Sequence, residues 1–309
     1  IMELLILFIA VLVDMLFGEY PPKYHPTVWF GEGFNYLIDT NLKRNKWFLF
    51  LSGAIKVIFY LLLIALLFYF LLNILKIIDI YFYLILSIYL LKSTFSIKHF
   101  IECVKTVHTD LIKKDINLAR EDLKNLVSRD RSNLSEEEIV QATIASAGEN
   151  LNDSVIAPIF YFLLLGVTGA ITYRVINSVD AMIGYHTEKY EYFGKFAARL
   201  DDTVNFIPAR ITALLILISS LFIKKSSSKS AFKIMLRDNG NTQSINGGWP
   251  MAALAGALRI TIDKPGYYSL GDGLDTALPE KILLANRFIF FSTAIFLIIC
   301  FLHLQYGLN

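Results

Sequence analysis

The chain has 309 residues, of which 55% belong to the AVILMFWYC set and 18% are charged. A soluble domain of this length would carry about a quarter charged residues, so the composition excludes an ordinary water-soluble enzyme. It also excludes intrinsic disorder, which needs low hydrophobicity and high charge. The net charge of +2 gives no reason to expect nucleic acid as a partner, and the expected surroundings are a lipid bilayer.

The first apolar run covers 4–17 and lacks both a basic leader and a small-residue cleavage site, so it reads as a retained helix rather than a signal peptide. Further runs cover 48–72, 77–91, 155–172, 207–223 and 288–305. A crossing needs about 17–25 such residues. The runs 48–72 and 288–305 meet that length, whereas 4–17 and 77–91 are short and contain Asp14 and Asp79. The 48–91 stretch predicts a helical hairpin turning around Asn73-Ile74-Leu75-Lys76.

Taken together the runs predict an all-α, polytopic membrane bundle, a single integral-membrane domain over 1–309, with two polar and mainly helical inserts at 92–153 and 224–287. Lys and Arg number 4 in 18–47, 9 in 92–153, 4 in 173–206 and 9 in 224–287. With six crossings, the positive-inside rule places the first, third and last connections, the latter two carrying the inserts, in the cytoplasm and both termini outside. The 173–206 segment would then be an outside loop. Its apolar content conflicts with that and points to a segment folded back at membrane depth, since polar groups there must face protein or water.

Within the first insert, Ser135-Glu136-Glu137-Glu138 is a capping box opening a helix that continues through Ala142, Ala145, Ser146, Ala147 and Gly148. Small residues of this kind let another backbone approach closely. The second insert begins with KKSSSKS, which reads as a flexible, solvated linker. Cys103 and Cys300 are far apart in sequence. His99 and Cys103 are i,i+4, but no third ligand follows at metal-site spacing.

Polar clusters interrupt the apolar runs. Glu149 and Asp153 share a face if the helix continues through them. Asn177 and Asp180 are i,i+3, as are Asp202 and Asn205, and Arg199 lies one turn before Asp202. Carboxylates with amide neighbours suit Mg²⁺, which takes oxygen ligands and bridges to phosphates. Arg129, Arg199 and Arg210 suit bidentate contact with phosphate or carboxylate. Against these stand plainer readings: an Arg/Asp pair at i,i+3 as a simple ion pair, His25-Pro26 as a helix start, Gly247-Gly248 as a tight turn instead of a phosphate nest, and Trp249-Pro250 as an interfacial anchor. No Walker, G-x-S-x-G or H-E-x-x-H motif occurs.

The clusters together resemble the adenosylcobinamide-phosphate synthase family of cobalamin biosynthesis. The resemblance rests on His25-Pro26 through Gly31, Glu149-Asn150 with Asp153 and Ala157-Pro158, and Asn177 with Asp180 and Gly184-Tyr185. It continues through Phe193-Gly194, Asp201-Asp202 with Asn205 and Pro208-Ala209-Arg210, and Gly248-Trp249-Pro250 with Ala255-Gly256-Ala257-Leu258. It runs from about residue 14 to 272. The chain departs from the pattern at Ser128, Gly148, Ser154 and Gly247, each a small residue in place of another.

The resemblance implies an amide-forming enzyme of the cell membrane. It would join adenosylcobyric acid to (R)-1-amino-2-propanol O-phosphate with ATP and Mg²⁺, beside other membrane enzymes of nucleotide-loop assembly. Under that reading Glu149, Asp153, Asp201 and Asp202 are Mg²⁺ ligands. Arg129, Arg199 and Arg210 meet phosphate groups, with Gly248 and Trp249 in the binding set. Asp180 is the base for the incoming ammonium, His25 passes a proton, and Asn150, Asn177 and Asn205 orient oxygens. Two other classes fit the sequence less well. A membrane signalling relative would lose the Glu149-Asn150 and Asp201-Asp202 clusters, and a transporter would show internal repeats.

Overall fold

The computed structural model describes residues 2–38, 45–184 and 190–307. Among these the chain is helical nearly throughout: α1 (Met2–Phe17), α2 (Pro26–Asn35), α3 (Lys46–Ile78), α4 (Ile80–Lys92), α5 (Lys98–Ile112), α6 (Ile116–Asp122), α7 (Glu136–Leu151), α8 (Ala157–Ile183), α9 (Lys195–Ser219), α10 (Ser228–Asp238), α11 (Gly248–Leu258) and α12 (Glu280–Tyr306). A π-helical turn, Asn152–Ile156, joins α7 to α8. A short antiparallel hairpin, β1 (Ile262–Lys264) with β2 (Tyr268–Leu270), sits in the second insert.

Four helical segments are long and apolar enough to cross a membrane: Lys46–Ile78, Glu136–Ile183, Lys195–Ser219 and Glu280–Tyr306. The all-α membrane fold is as expected, but the count of six crossings is not. Helix α1 has 16 residues and α4 has 13, too short to qualify by the same measure. The hairpin turn also moves. Helix α3 runs straight through 73–76 and ends at Asp79, whose carboxylate accepts from the Tyr81 and Phe82 N–H groups and starts α4. A capping Asp that satisfies two orphan donors fixes a helix start more firmly than one polar residue inside an apolar run.

The 155–172 run is not one straight crossing either. Gly166 has φ 65° and ψ −161° inside α8, a conformation open essentially to glycine alone. Tyr161 and Tyr173 stack with ring centroids 5.3 Å apart, whereas twelve residues of straight helix would separate them by roughly 18 Å. The chain therefore reverses at Gly166. The segment after it stays helical to Ile183, and α9 is helical from Lys195 on, so these parts of 173–206 are not loop. Its buried Tyr173, Val175, Ile176, Val179 and Ile183 agree with burial in protein. Tyr185 lies outside the described residues.

The chain divides into two compact units. The first comprises Ile1–Ser96, Ala157–Val204 and Leu302–Asn309, and the second Ile97–Ile156 and Asn205–Phe301. In the first unit, Ile6, Ala10 and Asp14 form one buried stripe of α1, and that helix packs on α4. In the second, α11 is buried from Pro250 to Leu258 and packs between α7 and α10. Glycine makes this closeness possible, because a Cβ on Gly148 would lie 3.1 Å from the Met251 backbone and one on Gly256 would lie 2.6 Å from Ser230 O.

The capping box forms as the spacing predicts, with Glu138 accepting from the Ser135 N–H at 2.7 Å. The KKSSSKS stretch, in contrast, is ordered. Ser226 Oγ donates to Ser220 O at 2.8 Å, and Ser227 Oγ accepts from Ser230 N–H to cap α10. Serine hydroxyls close to their own backbone make caps and turns as readily as solvated linker.

Candidate functional site

The second unit holds a polar centre built around the end of α7. Glu149 and Asn150 occupy its last turn, and the π turn begins directly after at Asn152. Its wider i→i+5 winding displaces Asp153 from the position directly above Glu149 that a continuing α-helix would give. Asn152 is buried, and its Nδ2 donates to Asp153 Oδ1 and to Asn205 Oδ1, both at 2.8 Å. Thr212 Oγ1 donates to Asn152 Oδ1 at 3.1 Å. Asn205 and Thr212 are i,i+7 on α9, so one face of that helix supplies both partners. Asp153 is half-buried.

Arg210 lies one turn further along α9. Its Nη1 donates to Asn246 Oδ1 at 3.0 Å and to Phe206 O at 2.7 Å, and its guanidinium lies over the rings of Phe206 at 3.5 Å and Trp249 at 4.9 Å. Two rings and two carbonyl oxygens hold the fork in place, the arrangement that suits arginine better than lysine. Neither Gly247 nor Gly248 has a positive φ, so the pair is not an anion nest of alternating hand. A Cβ on Gly248 would lie 2.1 Å from Asn239 O, and Gly248 serves close packing at the start of α11.

Asn150 Nδ2 donates to Ser146 Oγ at 2.7 Å, and Ser146 Oγ donates to Leu126 O at 2.7 Å. This ties α7 to the loop that carries Arg129. Arg131 Nη1 braces that loop by donating to Val127 O and Arg129 O, each at 3.1 Å. Glu149 is exposed, and its Oε1 would lie 3.9 Å from a Cβ on Gly247.

The other expected site residues lie in the first unit. Asn177 Nδ2 donates to Asp201 Oδ1 at 3.4 Å and Asn177 Oδ1 accepts from Arg174 Nη1 at 3.3 Å. Asp180 packs its carboxylate so tightly on Gly184 that a Cβ there would meet Asp180 Oδ1 at 1.9 Å. Asp202 is half-buried and Arg199 exposed. Pro208 has no N–H to give to Val204 O, and Tyr161 Oη supplies that bond instead at 2.9 Å.

His25 caps α2 and sits in a second polar group of the same unit. Its Nδ1 accepts from Thr27 N–H at 3.3 Å, which leaves the proton on Nε2, 2.7 Å from Glu19 Oε2. Glu19 Oε1 lies 3.2 Å from Lys92 Nζ, and Lys92 lies 2.9 Å from Asp14. Burial would raise the Glu19 carboxyl, but the His25 bond and the Lys92 charge outweigh it and hold the group at about 2.

Sequence reasoning found Glu149, Asp153, Asn205 and Arg210, placed Asn152 and Asn246 in polar stretches without a role, and passed over Thr212, Glu19 and Lys92. The i,i+7 spacing of Thr212 from Asn205 was the one available signal. Asn152, Asn246 and Lys92 pair across long sequence separations, whereas Glu19 reaches His25 over six positions. Within each unit, no group of three or more His, Cys, Asp or Glu among the described residues is arranged to hold a metal. Cys103 and His99 make only a 3.5 Å contact, and burial pushes the thiol up to about 11.

The fold and these centres define an all-helical, multi-pass membrane protein that keeps carboxylates, amides and arginines on its apolar helices. Residues 7–283 match the family model described as CobD/Cbib protein. The chain is 43% identical over 282 residues to the cobalamin biosynthesis protein CobD of Dehalococcoides mccartyi, covering 91% of each chain. It is 38% identical over 300 residues to the probable cobalamin biosynthesis protein CobD of Methanocaldococcus jannaschii, covering 96% of each. A third relative, from Pyrococcus furiosus and with that same name, is 44% identical over 261 residues, covering 84% of this chain and 85% of the relative. The chain belongs to the CobD/Cbib family, and its role lies in cobalamin biosynthesis. No solved structure matches it.

Proposed function

We propose that the chain is the amide-forming enzyme of this pathway in the cell membrane. It would join adenosylcobyric acid to (R)-1-amino-2-propanol O-phosphate, with consumption of ATP, to give adenosylcobinamide phosphate. The observation that carries this reading is the Asn152 centre. A buried amide aligns Asp153, Asn205 and Thr212 at a π turn, a feature found mostly at functional sites. Buried polar groups joined in this way among apolar helices are costly without a task.

A carboxylate does not condense with an amine at a useful rate until one of its oxygens becomes a leaving group. On this reading the corrin propionate attacks the γ-phosphorus of ATP and ADP departs. The amine then displaces phosphate to form the C–N bond, losing one proton before attack and one after. Asp180 takes the first proton, and His25 passes a proton through the Glu19 carboxylate that it already meets. Arg129, Arg199 and Arg210 neutralise phosphate oxygens, and Asn150, Asn177 and Asn205 orient oxygens by amide donors. Gly248 and Trp249 belong to the binding set.

The donor chemistry of either unit fits Mg²⁺: Glu149 and Asp153 in the second and Asp201 and Asp202 in the first each offer a pair of hard oxygens, and this ion is usually held by one or two carboxylates plus waters and phosphates. Bound there, it would supply charge neutralisation for phosphoryl transfer. Other membrane enzymes that complete the nucleotide loop are the partners this reading implies.

The test is single turnover by detergent-purified protein with adenosylcobyric acid, aminopropanol phosphate, ATP and Mg²⁺, read by mass spectrometry. The expected result is a product heavier than cobyric acid by the linked amine less one water, with one ADP formed per product. Folded protein that forms no product at any Mg²⁺ concentration would overturn the reading.

A further inference from the structure

The β-hairpin of the second unit carries a lysine on its inward side. Its register pairs Ile262 with Leu270 and Lys264 with Tyr268. Side chains alternate along a strand, so Lys264 and Tyr268 share the face of Ile262 and Leu270, which are 1% and 0% exposed. The hairpin is pinned to α7 by Asp263 N–H donating to Gln141 Oε1 at 3.0 Å. An ammonium turned toward protein is expensive unless an anion meets it.

Among the described residues Lys264 makes no ion pair. Its Nζ lies 4.5 Å from the Tyr267 ring centroid and 6.0 Å from that of Tyr268. Arg129 stands near enough to act on both Lys264 and Tyr268, and its Nε is buried without a hydrogen-bond partner among the described residues. Glu149 is the acid whose charge bears on Lys264. Arg129 also acts on Glu138, whose carboxylate is already engaged by Ser135, and the buried Arg129 Nε keeps a donor to spare.

We infer that Arg129, Lys264 and Tyr268 form a binding site for a phosphate group of a substrate. The guanidinium and ammonium supply donors only, and the phenol adds one O–H donor, for the oxygens of a phosphate ester. Burial, with the charge of Glu149, pushes the Tyr268 phenol up to about 12, so it remains an O–H donor at neutral pH. Burial and the Arg129 charge lower Lys264, and a bound phosphate dianion would relieve both. The inference rests on the proposed amide synthesis only for the identity of the ligand, which is the phosphate of the amine or that of the nucleotide.

The experiment is calorimetric binding to detergent-purified full-length protein, without turnover. The titrants are aminopropanol O-phosphate, aminopropanol lacking the phosphate, and ATP with Mg²⁺, with inorganic phosphate as competitor. The variants are Lys264→Met, Lys264→Arg and Tyr268→Phe, each with its unfolding temperature measured. Lys264→Met and Tyr268→Phe are expected to weaken one phosphorylated ligand by about tenfold or more, with Lys264→Arg restoring much of the loss. A loss confined to aminopropanol O-phosphate assigns the site to the amine, and a loss confined to ATP assigns it to the nucleotide. Unchanged affinity for both in folded variants overturns the site. If no amide ever forms but phosphate binding still depends on Lys264, the site stands and the proposed reaction falls.

Discussion

Lys92 Nζ sits 2.9 Å from Asp14 Oδ1, and neither side chain has any solvent exposure. The buried stripe of α1 and the last turn of α4 create this pair, and Glu19 and His25 extend it toward the surface. Removing one partner of a buried pair strands the other charge, at about 3–5 kcal/mol. Lys92→Met, which keeps the apolar stem, is therefore expected to lower the unfolding temperature in detergent sharply. The double variant Lys92→Met with Asp14→Leu is expected to recover part of the loss. Equal melting of Lys92→Met and the parent protein would show that the pair carries no net stabilisation.

What could be read from sequence divides along the range of the interaction. The Ser135–Glu138 box spans three residues and forms as its spacing predicts. The helical membrane class needed only composition. The turn at Asp79 was displaced to 73–76 because hydropathy averages over a window and gives one capping carboxylate no weight. The reversal at Gly166 was invisible for a similar reason, since an apolar run with a glycine looks the same whether φ is negative or positive. Asn205 was legible as a polar residue beside a span. Asn152, its partner 53 positions away, was not, because nothing in local spacing links them. The pairing of Lys92 with Asp14 was hidden in the same way.

The reversal in α8 predicts a graded set of glycine substitutions. Gly166→Ala places a side chain at φ 65° and ψ −161°, which costs about 1–3 kcal/mol in that region. Gly169→Ala has an ordinary φ but would put Cβ 2.4 Å from Leu165 Cβ and 2.6 Å from Tyr161 O, so backbone must move. Both are expected to lower the unfolding temperature. Gly240→Ala meets nothing within 4 Å and serves as the neutral control. Melting of Gly166→Ala indistinguishable from that of Gly240→Ala would refute the reversal.

Acid should destabilise the protein through Glu19 and Asp238. Burial raises each carboxyl, but opposing contacts win. His25 and Lys92 hold Glu19 at about 2 against an ordinary 4.5. The Arg237 fork, at 2.6 and 2.8 Å, and the Gly271 N–H, at 2.8 Å, hold Asp238 below its usual range. A depressed folded-state value stabilises above the unfolded value and loses that contribution as pH falls through the folded one. Unfolding temperature is therefore expected to decline from pH 4.5 downward. Glu19→Gln should be less stable at pH 7 and show a shallower decline. Parallel pH profiles for parent and variant would contradict this role for Glu19.

Asp202 gives the sharpest test of the proposed chemistry. It is half-buried on α9, beside Asp201, whose Oδ1 accepts from Asn177. Asp202→Asn keeps the side-chain volume and one carbonyl oxygen but removes the charge that would hold Mg²⁺ against polyphosphate. Were Asp202 only one half of a surface ion pair with Arg199, the exchange would cost at most about 1 kcal/mol of stability and leave turnover intact. As a metal ligand in the transition state it contributes several kcal/mol to lowering the barrier, so the rate should fall on the order of a hundredfold or more. The measurement is the rate at saturating corrinoid and amine across a Mg²⁺ titration, with the unfolding temperature recorded in parallel. A metal ligand predicts a normal melt, a large loss at ordinary Mg²⁺, and partial recovery as Mg²⁺ rises. Near-normal turnover at ordinary Mg²⁺ would remove Asp202 from the metal ligands.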